Sequence, residues 1–365
     1  MKIIQTPVRF YPAIGGVEKY ALDLSSELAK NNNVKVICAD EPKTNLNESN
    51  SIKISRLRTF LKIANTNITL SLPFRLLREK FDLIHTYFPT PWSSDWSVLI
   101  AKLKGKKAVI SYCNDIKGSG ISDIIAKIYN NTVLRLTLRL ADKIIIIGPN
   151  FLETSKYLKK YSNKIIFIPI GVDTEKFKKI NIDKEKNTLF FLSILDEYHQ
   201  YKGLDYLLEA IRLVKKENPD VKLIVGGKGK LQSDYIKKAK GLGIESNVKF
   251  IGFVADNELI SYYNKCECFI LPSCDSEQEG FGIVLLEALS CDTPVIATDV
   301  VGIAREIKEN NAGIIIEPKK ADQLASAINT LLRDPAVYTK NIDNLVSKYC
   351  IQKTAQQVRK LYNSL

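Results

Sequence analysis

No stretch of the 365-residue chain approaches the roughly 18 uninterrupted apolar residues that a membrane span needs. The start, Met1-Lys2-Ile3-Ile4, runs at once into Gln5-Thr6-Pro7, too short an apolar core for secretion, so a cytosolic protein is expected. No internal repeat or low-complexity tract stands out. Histidine is scarce, with two residues in the chain, and the seven cysteines are an odd number scattered along it. Cys266-Glu267-Cys268 followed by Cys274 has a metal-like look, but neither His85 nor His199 lies near and no second pair completes a tetrahedral set. Reduced, buried thiols and no metal are expected. The chain also lacks a G-x-G-x-x-G run, which leaves a nicotinamide dehydrogenase poorly supported.

What is present is the balance of an ordinary folded protein: 45% aliphatic and aromatic residues and 25% charged. That excludes disorder, collagen and coiled coil, and at about 150 residues per domain the length argues for two domains. The formal charge of +13 is unevenly placed. Residues 1–180 hold 29 Lys+Arg against 15 Asp+Glu, whereas residues 181–365 hold 24 against 25. A basic half beside a neutral half points to an anionic partner for one domain: nucleic acid, a phospholipid surface or a phosphorylated substrate. No recognition motif supports nucleic acid, and no nucleic-acid partner is expected.

Short Ile- and Val-rich runs alternate with helix-period stretches throughout, the pattern of parallel sheets covered by helices. The first half predicts strands at Lys2–Gln5, Val34–Cys38, Leu83–His85, Ala108–Ser111, Ile144–Ile147 and Ile165–Ile168, with helices at Val17–Lys30, Trp92–Leu103 and Ile121–Leu140. The second half predicts strands at Leu189–Ser193, Val221–Val225, Val248–Ile251, Cys268–Leu271, Pro294–Ala297 and Gly313–Ile316. Its helices are expected at Leu204–Lys216, Ser233–Lys240, Asn257–Asn264, Gly282–Leu289 and Ala321–Leu332. An α/β fold of two Rossmann-like, doubly wound domains follows, residues 1–172 and 173–350, with the chain changing domain near Gly171–Asp183. A terminal helix in 351–365 has no strand after it and is expected to cross back to the first domain.

Three stretches invite chemistry. After the first strand, Gly15-Gly16-Val17-Glu18 opens a helix, where backbone amides can approach an anion; a plain tight turn reads equally well. In the second half, Glu279-Gly280-Phe281-Gly282 follows an apolar strand and opens a helix, at the carboxyl edge where open α/β sheets bind ligands. Glycine amides at a helix start suit a diphosphate. Glu287 lies inside that helix among Leu285, Leu286, Ala288 and Leu289, a costly place for a carboxylate unless it has partners, and two ribose hydroxyls would serve. Lys202-Gly203, at another strand-to-helix junction, can neutralise a phosphate at the same edge.

These pieces, in this order, resemble the family-4 retaining glycosyltransferases of the GT-B fold. The resemblance runs through Gly15-Gly16-Val-Glu18, Asp82-Leu-Ile-His85, Gly171-Val-Asp-Thr-Glu-Lys-Phe177, Lys202-Gly203-Leu-Asp, Gly227-Lys-Gly229, Val248-Lys-Phe-Ile-Gly252, Glu279-Gly-Phe-Gly282 with Glu287, and Pro294-Val-Ile-Ala-Thr-Asp299. It implies two domains facing a deep cleft and a nucleotide-diphosphate sugar as donor, with no further cofactor. By the family pattern Glu287 holds the ribose, and Glu279 the sugar hydroxyls. Lys202 and the amides of Gly280, Phe281 and Gly282 hold the diphosphate, and the backbone from Gly252 to Val254 the base. Gly15 and Gly16 would close over the phosphates, and Lys202 and Glu279 would carry catalysis. Transfer would retain configuration. With no D-x-D in the chain the metal clamp of the other main glycosyltransferase fold has no candidate, so metal independence is expected.

Departures from the pattern matter. Ser193-Ile194-Leu195 stands where an arginine is frequent, leaving His199 or another basic residue to replace its charge. Cys113 stands where a histidine is frequent, with Asn114 and Asp115 beside it to contact sugar or acceptor hydroxyls, and Asp292 and Val301 occupy glycine positions. These losses raise an alternative, a catalytically weak nucleotide-sugar-binding or membrane-associated partner subunit. His85, expected at a strand end, is a further acceptor-side candidate. Residues 53–80 interleave Lys53, Arg56, Arg58, Lys62, Arg75, Arg78 and Lys80 with Ile, Leu and Phe, resembling an amphipathic element for an anionic membrane surface. A hydroxyl acceptor that is lipid-linked or a glycan, met at the cytoplasmic face of the membrane by a peripheral enzyme, is the expectation.

Overall fold

The computed structural model describes residues 1–13, 15–49, 51–63, 66–116, 121–148, 152, 155–276 and 278–365, with backbone alone at 121–122. Two compact units emerge: Met1–Gly171 with Ile351–Leu365, and Val172–Cys350.

In the first unit the strands are β1 (Lys2–Thr6), β2 (Asn33–Ala39), β3 (Glu48–Ser49), β4 (Ile52–Leu57), a hairpin β5 (Leu61–Ile63) and β6 (Thr66–Ile68), β7 (Leu83–Phe88), β8 (Lys107–Tyr112), β9 (Lys143–Ile146) and β10 (Ile165–Phe167). The main sheet runs β10-β9-β8-β7-β1-β2-β4-β3, parallel except for the β3–β4 edge pair. Helices on both faces bury the central strands, so all six residues of β7 are buried, including the polar pair His85 and Thr86. The direction of strand addition reverses between β1 and β7, where Ile3 pairs with Leu83 and Gln5 with His85.

The second unit carries β11 (Thr188–Leu192), β12 (Lys222–Gly226), β13 (Val248–Gly252), β14 (Cys268–Leu271), β15 (Val295–Thr298) and β16 (Gly313–Ile316), in the order β13-β12-β11-β14-β15-β16 with every pairing parallel. One face is sealed by the helices Leu204–Val214 and Ala321–Arg333, whose Leu207, Leu208, Ile211, Leu324, Ile328 and Leu331 join Leu223, Val225 and Ile270 in one core. On the other face Phe190 and Phe269 meet Tyr263 edge to face at centroid distances of 5.5 and 5.3 Å, fixing the helix Asp256–Lys265.

Three expectations need correction. Residues 53–80 are not one amphipathic element but β4, the hairpin and the short helix Leu72–Arg78, because Ile52-Lys-Ile54-Ser-Arg-Leu57 alternates in and out as a strand beside β2. Several of their charges are committed locally, Lys62 to Glu41 and Arg75 to Glu79. The span 121–140 divides into Ile121–Asn131 and Val133–Leu140, broken at Thr132 with φ −118° and ψ −82°. His85 is not at a strand end, since β7 continues to Phe88.

His85 instead ties the last helix, Ile351–Asn363, to the sheet: Nδ1 is hydrogen-bonded to the Tyr362 hydroxyl at 2.6 Å and Nε2 to Ser111 Oγ at 2.8 Å. Thr354 Oγ1 donates to the Pro169 carbonyl at 2.9 Å, a second tie within the same unit.

Burial pushes the His85 pKa down to about 3, against about 6.5 in an unfolded chain. Between those values the unfolded chain binds a proton that the folded one refuses, so stability is complete above pH 6.5 and falls as the pH drops toward 3. The stability advantage of wild type over His85→Gln should shrink by about 2 kcal/mol between pH 7 and pH 5 in urea unfolding. An advantage that stays constant with pH contradicts a neutral, buried His85.

Candidate nucleotide-sugar site

In the second unit strand addition also reverses, between β11 and β14, which are neighbours through Leu189↔Cys268 and Phe190↔Phe269. The helices that follow these two strands pack on opposite faces, so their loops part at the carboxyl edge of the sheet, the place where α/β proteins bind ligands. Both loops carry candidate residues. The β11 loop ends in Lys202-Gly203, and the β14 loop carries Ser273, Glu279 and Gly282.

The loops are locked together. The Cys274 N–H donates to the Tyr201 carbonyl at 2.7 Å. Gly203 has φ +79°, and a Cβ there would lie 2.0 Å from the Pro272 carbonyl oxygen, so only glycine lets the backbones approach this closely. Gly282, at φ +81°, caps the helix Ile283–Ser290, and a Cβ there would meet Val301 Cγ1 at 2.5 Å. Val301, noted as a departure, thus packs on the cap. Asp292, the other, sits at φ +57° with its carboxylate taking Lys179 Nζ at 2.6 Å.

At the junction Lys202 Nζ donates to Glu279 Oε2 at 2.8 Å, and Ser273 Oγ donates to the same oxygen. Burial alone would lower the Lys202 pKa, but the Glu279 carboxylate and Tyr201 outweigh it and hold the ammonium above the ordinary lysine range. Lys202 also lies 5.1 Å from the Tyr201 ring centroid.

Glu287 is 2% exposed, not on a helix surface, and its Oε2 accepts a 2.9 Å hydrogen bond from Tyr263. Burial and Glu287 together push the Tyr263 hydroxyl pKa well up, keeping it a donor. Phe281 is buried and packs its ring 5.6 Å from that of Tyr349. Gly252, at φ +73°, ends β13 and its carbonyl accepts the Gly227 N–H at 2.7 Å; Val254 beyond it is buried. The Leu195 N–H donates to the Lys228 carbonyl at 3.2 Å, and Lys228 Nζ lies 5.3 Å from the Phe253 ring. The β11, β12, β13 and β14 loops therefore meet along one edge. Tyr263, Ser273 and Lys228 were missed in the sequence. Tyr263 carries no linear signal, but Ser273 lies two residues beyond the end of β14 and Lys228 sits between two glycines of the Gly227-Lys-Gly229 turn.

Ile194 is exposed in the β11 loop, and His199 is hydrogen-bonded through Nδ1 to Asp196 at 2.6 Å. Cys266, Cys268 and Cys291 are buried, and burial pushes Cys266 and Cys291 up to about 12. Among the described residues no group of three or more His, Cys, Asp or Glu is arranged to hold a metal ion.

In the first unit Gly15 precedes the helix Gly16–Ala29, and a Cβ on it would fall 2.2 Å from Glu18 Oε2, which belongs to the carboxylate paired with Arg9 at 3.0 Å. At the end of β8, Cys113 is buried with its thiol pushed up to about 12 by burial, a protonated sulfur that takes no part in proton exchange near neutrality. Asn114 next to it is half-buried, and Asp115 Oδ1 accepts from the hydroxyls of Tyr112 and of Ser155, the latter at 2.9 Å.

Two doubly wound parallel units, each with a strand-order reversal in its sheet, make up a GT-B protein. The family model for group 1 glycosyl transferases matches residues 172–347 and that for glycosyltransferase family 4 matches residues 14–176, and the chain belongs to this family. It is 27% identical over 335 residues to the D-rhamnosyltransferase WbpZ of Pseudomonas aeruginosa, covering 88% of this chain and 84% of that protein. It is 25% identical to the O-antigen chain mannosyltransferase C of Escherichia coli, covering 100% and 98%. The solved structure of HepE from Anabaena, in complex with UDP, superposes with a TM-score of 0.81 over 100% of both chains at 21% identity. The protein is a glycosyltransferase, and the reading as a non-catalytic partner subunit is not favoured. Among the described residues no helix is long and apolar enough to cross a membrane.

Removing Lys202 strands the Glu279 carboxylate, which is nearly inaccessible, beside Ser273. Lys202→Met should cost about 3 kcal/mol of stability in urea unfolding. The double variant Lys202→Met/Glu279→Gln should recover at least half of that, because it removes the unpaired charge. Additive losses contradict the coupling.

Proposed function

We propose that the chain transfers a sugar from a nucleotide-diphosphate donor to a hydroxyl acceptor with retention of anomeric configuration, and that the unit Val172–Cys350 binds the donor. The observation that carries this reading is the meeting of Lys202, Glu279 and the Gly282-capped helix at the β11/β14 reversal. A helix N-terminus and an ammonium suit a diphosphate, and a carboxylate beside them suits sugar hydroxyls. In the proposed assignment the amides of Gly280, Phe281 and Gly282 and the Lys202 ammonium hold the diphosphate. Glu279 takes sugar hydroxyls, Glu287 takes the ribose with Tyr263 orienting it, and the Gly252–Val254 backbone meets the base. Lys228, on the loop bonded to Leu195, supplies the positive charge that Ile194 lacks, a task His199 leaves open by pairing with Asp196.

The chemistry asks for charge and positioning rather than a protein nucleophile. The bond from the anomeric carbon to the leaving phosphate breaks, the acceptor oxygen bonds on the same face, and a phosphate oxygen takes the acceptor proton. No metal is assigned to these steps. Asn114 at the end of β8 is proposed to serve the acceptor, and the Gly15-Gly16 turn, which opens a helix, to meet an anion. His85 is given no acceptor contact because both its nitrogens are bonded inside the sheet, and Asp115 is given a supporting role through Tyr112 and Ser155. A glycan or lipid-linked acceptor is proposed from the likeness to an O-antigen mannosyltransferase.

A thermal-shift screen of UDP-, GDP- and ADP-sugars tests the reading. One class should raise the melting temperature of wild type, and Glu287→Ala should weaken that ligand at least about tenfold. Lys202→Ala should lower kcat/KM about 10²- to 10³-fold. No shift with any nucleotide sugar, or wild-type affinity in a folded Glu287→Ala, overturns the assignment.

A further inference from the structure

The helices Ile121–Asn131 and Val133–Leu140 turn Ala126, Leu134 and Leu138 inward but leave a second row of aliphatics outside. Beside these buried aliphatics the inner face carries polar anchors: the Tyr129 hydroxyl donates to Asp95 Oδ1 at 2.9 Å, Thr137 Oγ1 donates to the same oxygen at 2.7 Å, and Asn130 Nδ2 donates to the Ile116 carbonyl at 3.0 Å. Asp95 belongs to the helix Ser93–Leu103 and also accepts the Trp92 N–H at 2.9 Å, so one buried carboxylate fixes both helices and the turn before its own. Outward they present aliphatics: Ile124, Ile125, Ile128 and Leu136 are 59, 56, 61 and 53% exposed, and Val133 is exposed beside them. The Thr132 N–H donates to Ile128 and the Leu136 N–H to Thr132, so the stripe at 124, 128 and 136 carries across the break.

We infer that this stripe seats the protein on an anionic lipid bilayer. From 123 to 140 the charged residues are Asp123, Lys127, Arg135 and Arg139, and the one acid is already paired with Lys127 at 2.7 Å. Exposed Arg135 and Arg139 flank the aliphatic stripe, the arrangement in which acyl boundary and phosphate headgroups are met together. The helix Leu72–Arg78 also packs on Ser93–Leu103 and exposes Phe74 and Leu77 beside Arg78. The unit as a whole holds 29 Lys+Arg against 13 Asp+Glu, so a second copy docked face to face would set like charge on like. The anionic-surface contact expected of residues 53–80 is here proposed for residues 123–140.

Co-sedimentation of the full chain with vesicles of phosphatidylcholine alone, or with added phosphatidylglycerol, tests this at physiological ionic strength. Wild type should pellet with the anionic vesicles and not with the neutral ones. Ile125→Asn/Ile128→Asn and Arg135→Gln/Arg139→Gln should each lower partitioning at least about tenfold while melting temperature stays unchanged. Failure of wild type to pellet, equal pelleting on neutral vesicles, or wild-type pelleting by either double variant overturns the inference. So does a dimer that the isoleucine variant dissolves without any vesicle binding, which would assign the stripe to a second copy. The nucleotide-sugar screen reads the donor site separately, so either proposal can fail alone.

Discussion

The pairing of β11 with β14 is the constraint on which the site depends. Because strand addition reverses there, two loops distant in sequence leave the sheet side by side, and their backbones come as close as Gly203 and Pro272 allow. That closeness lets a lysine and a glutamate 77 residues apart share one hydrogen bond. Neither would be tolerated alone at such burial. A single oxygen, Glu279 Oε2, takes both Lys202 and Ser273, so the charge is held by geometry that the sheet dictates.

The same logic governs the buried carboxylates away from that junction. Glu287 is kept by Tyr263, whose helix is pinned by the aromatic contacts of Phe190 and Phe269. Asp95 is kept by Tyr129, Thr137 and a backbone amide, and in return anchors two helices alongside the buried Leu134 and Leu138.

Much of the fold was legible because parallel strands buried on both faces read as Ile- and Val-rich runs; Cys268–Leu271 and Gly313–Ile316 match to the residue. The region from β3 to the helix Leu72–Arg78 was not, since its strands are short and its alternation of Lys and Arg with Ile and Leu reads equally as a solvated strip. The glycines and glutamates of the candidate site were visible as motifs, whereas Tyr263 and Ser273 became visible only once strands had been placed. His85 was misplaced by three residues of strand, enough to turn a candidate ligand contact into a tie for the last helix. The helical span expected at 121–140 shows the limit most clearly: its periodicity reads as one helix, whereas the chain breaks at Thr132 and leaves Ile124, Ile125, Ile128 and Leu136 exposed while Leu134 and Leu138 are buried.

The central claim is that a nucleoside diphosphate binds at the β11/β14 reversal. Amide hydrogen exchange of the full chain, with and without whichever of UDP, GDP and ADP binds, tests it most directly. The account predicts new protection at the amides from Gly280 to Ile283 and around Lys202 and Gly203. Protection confined to other segments, with these amides exchanging as in the free protein, would contradict it.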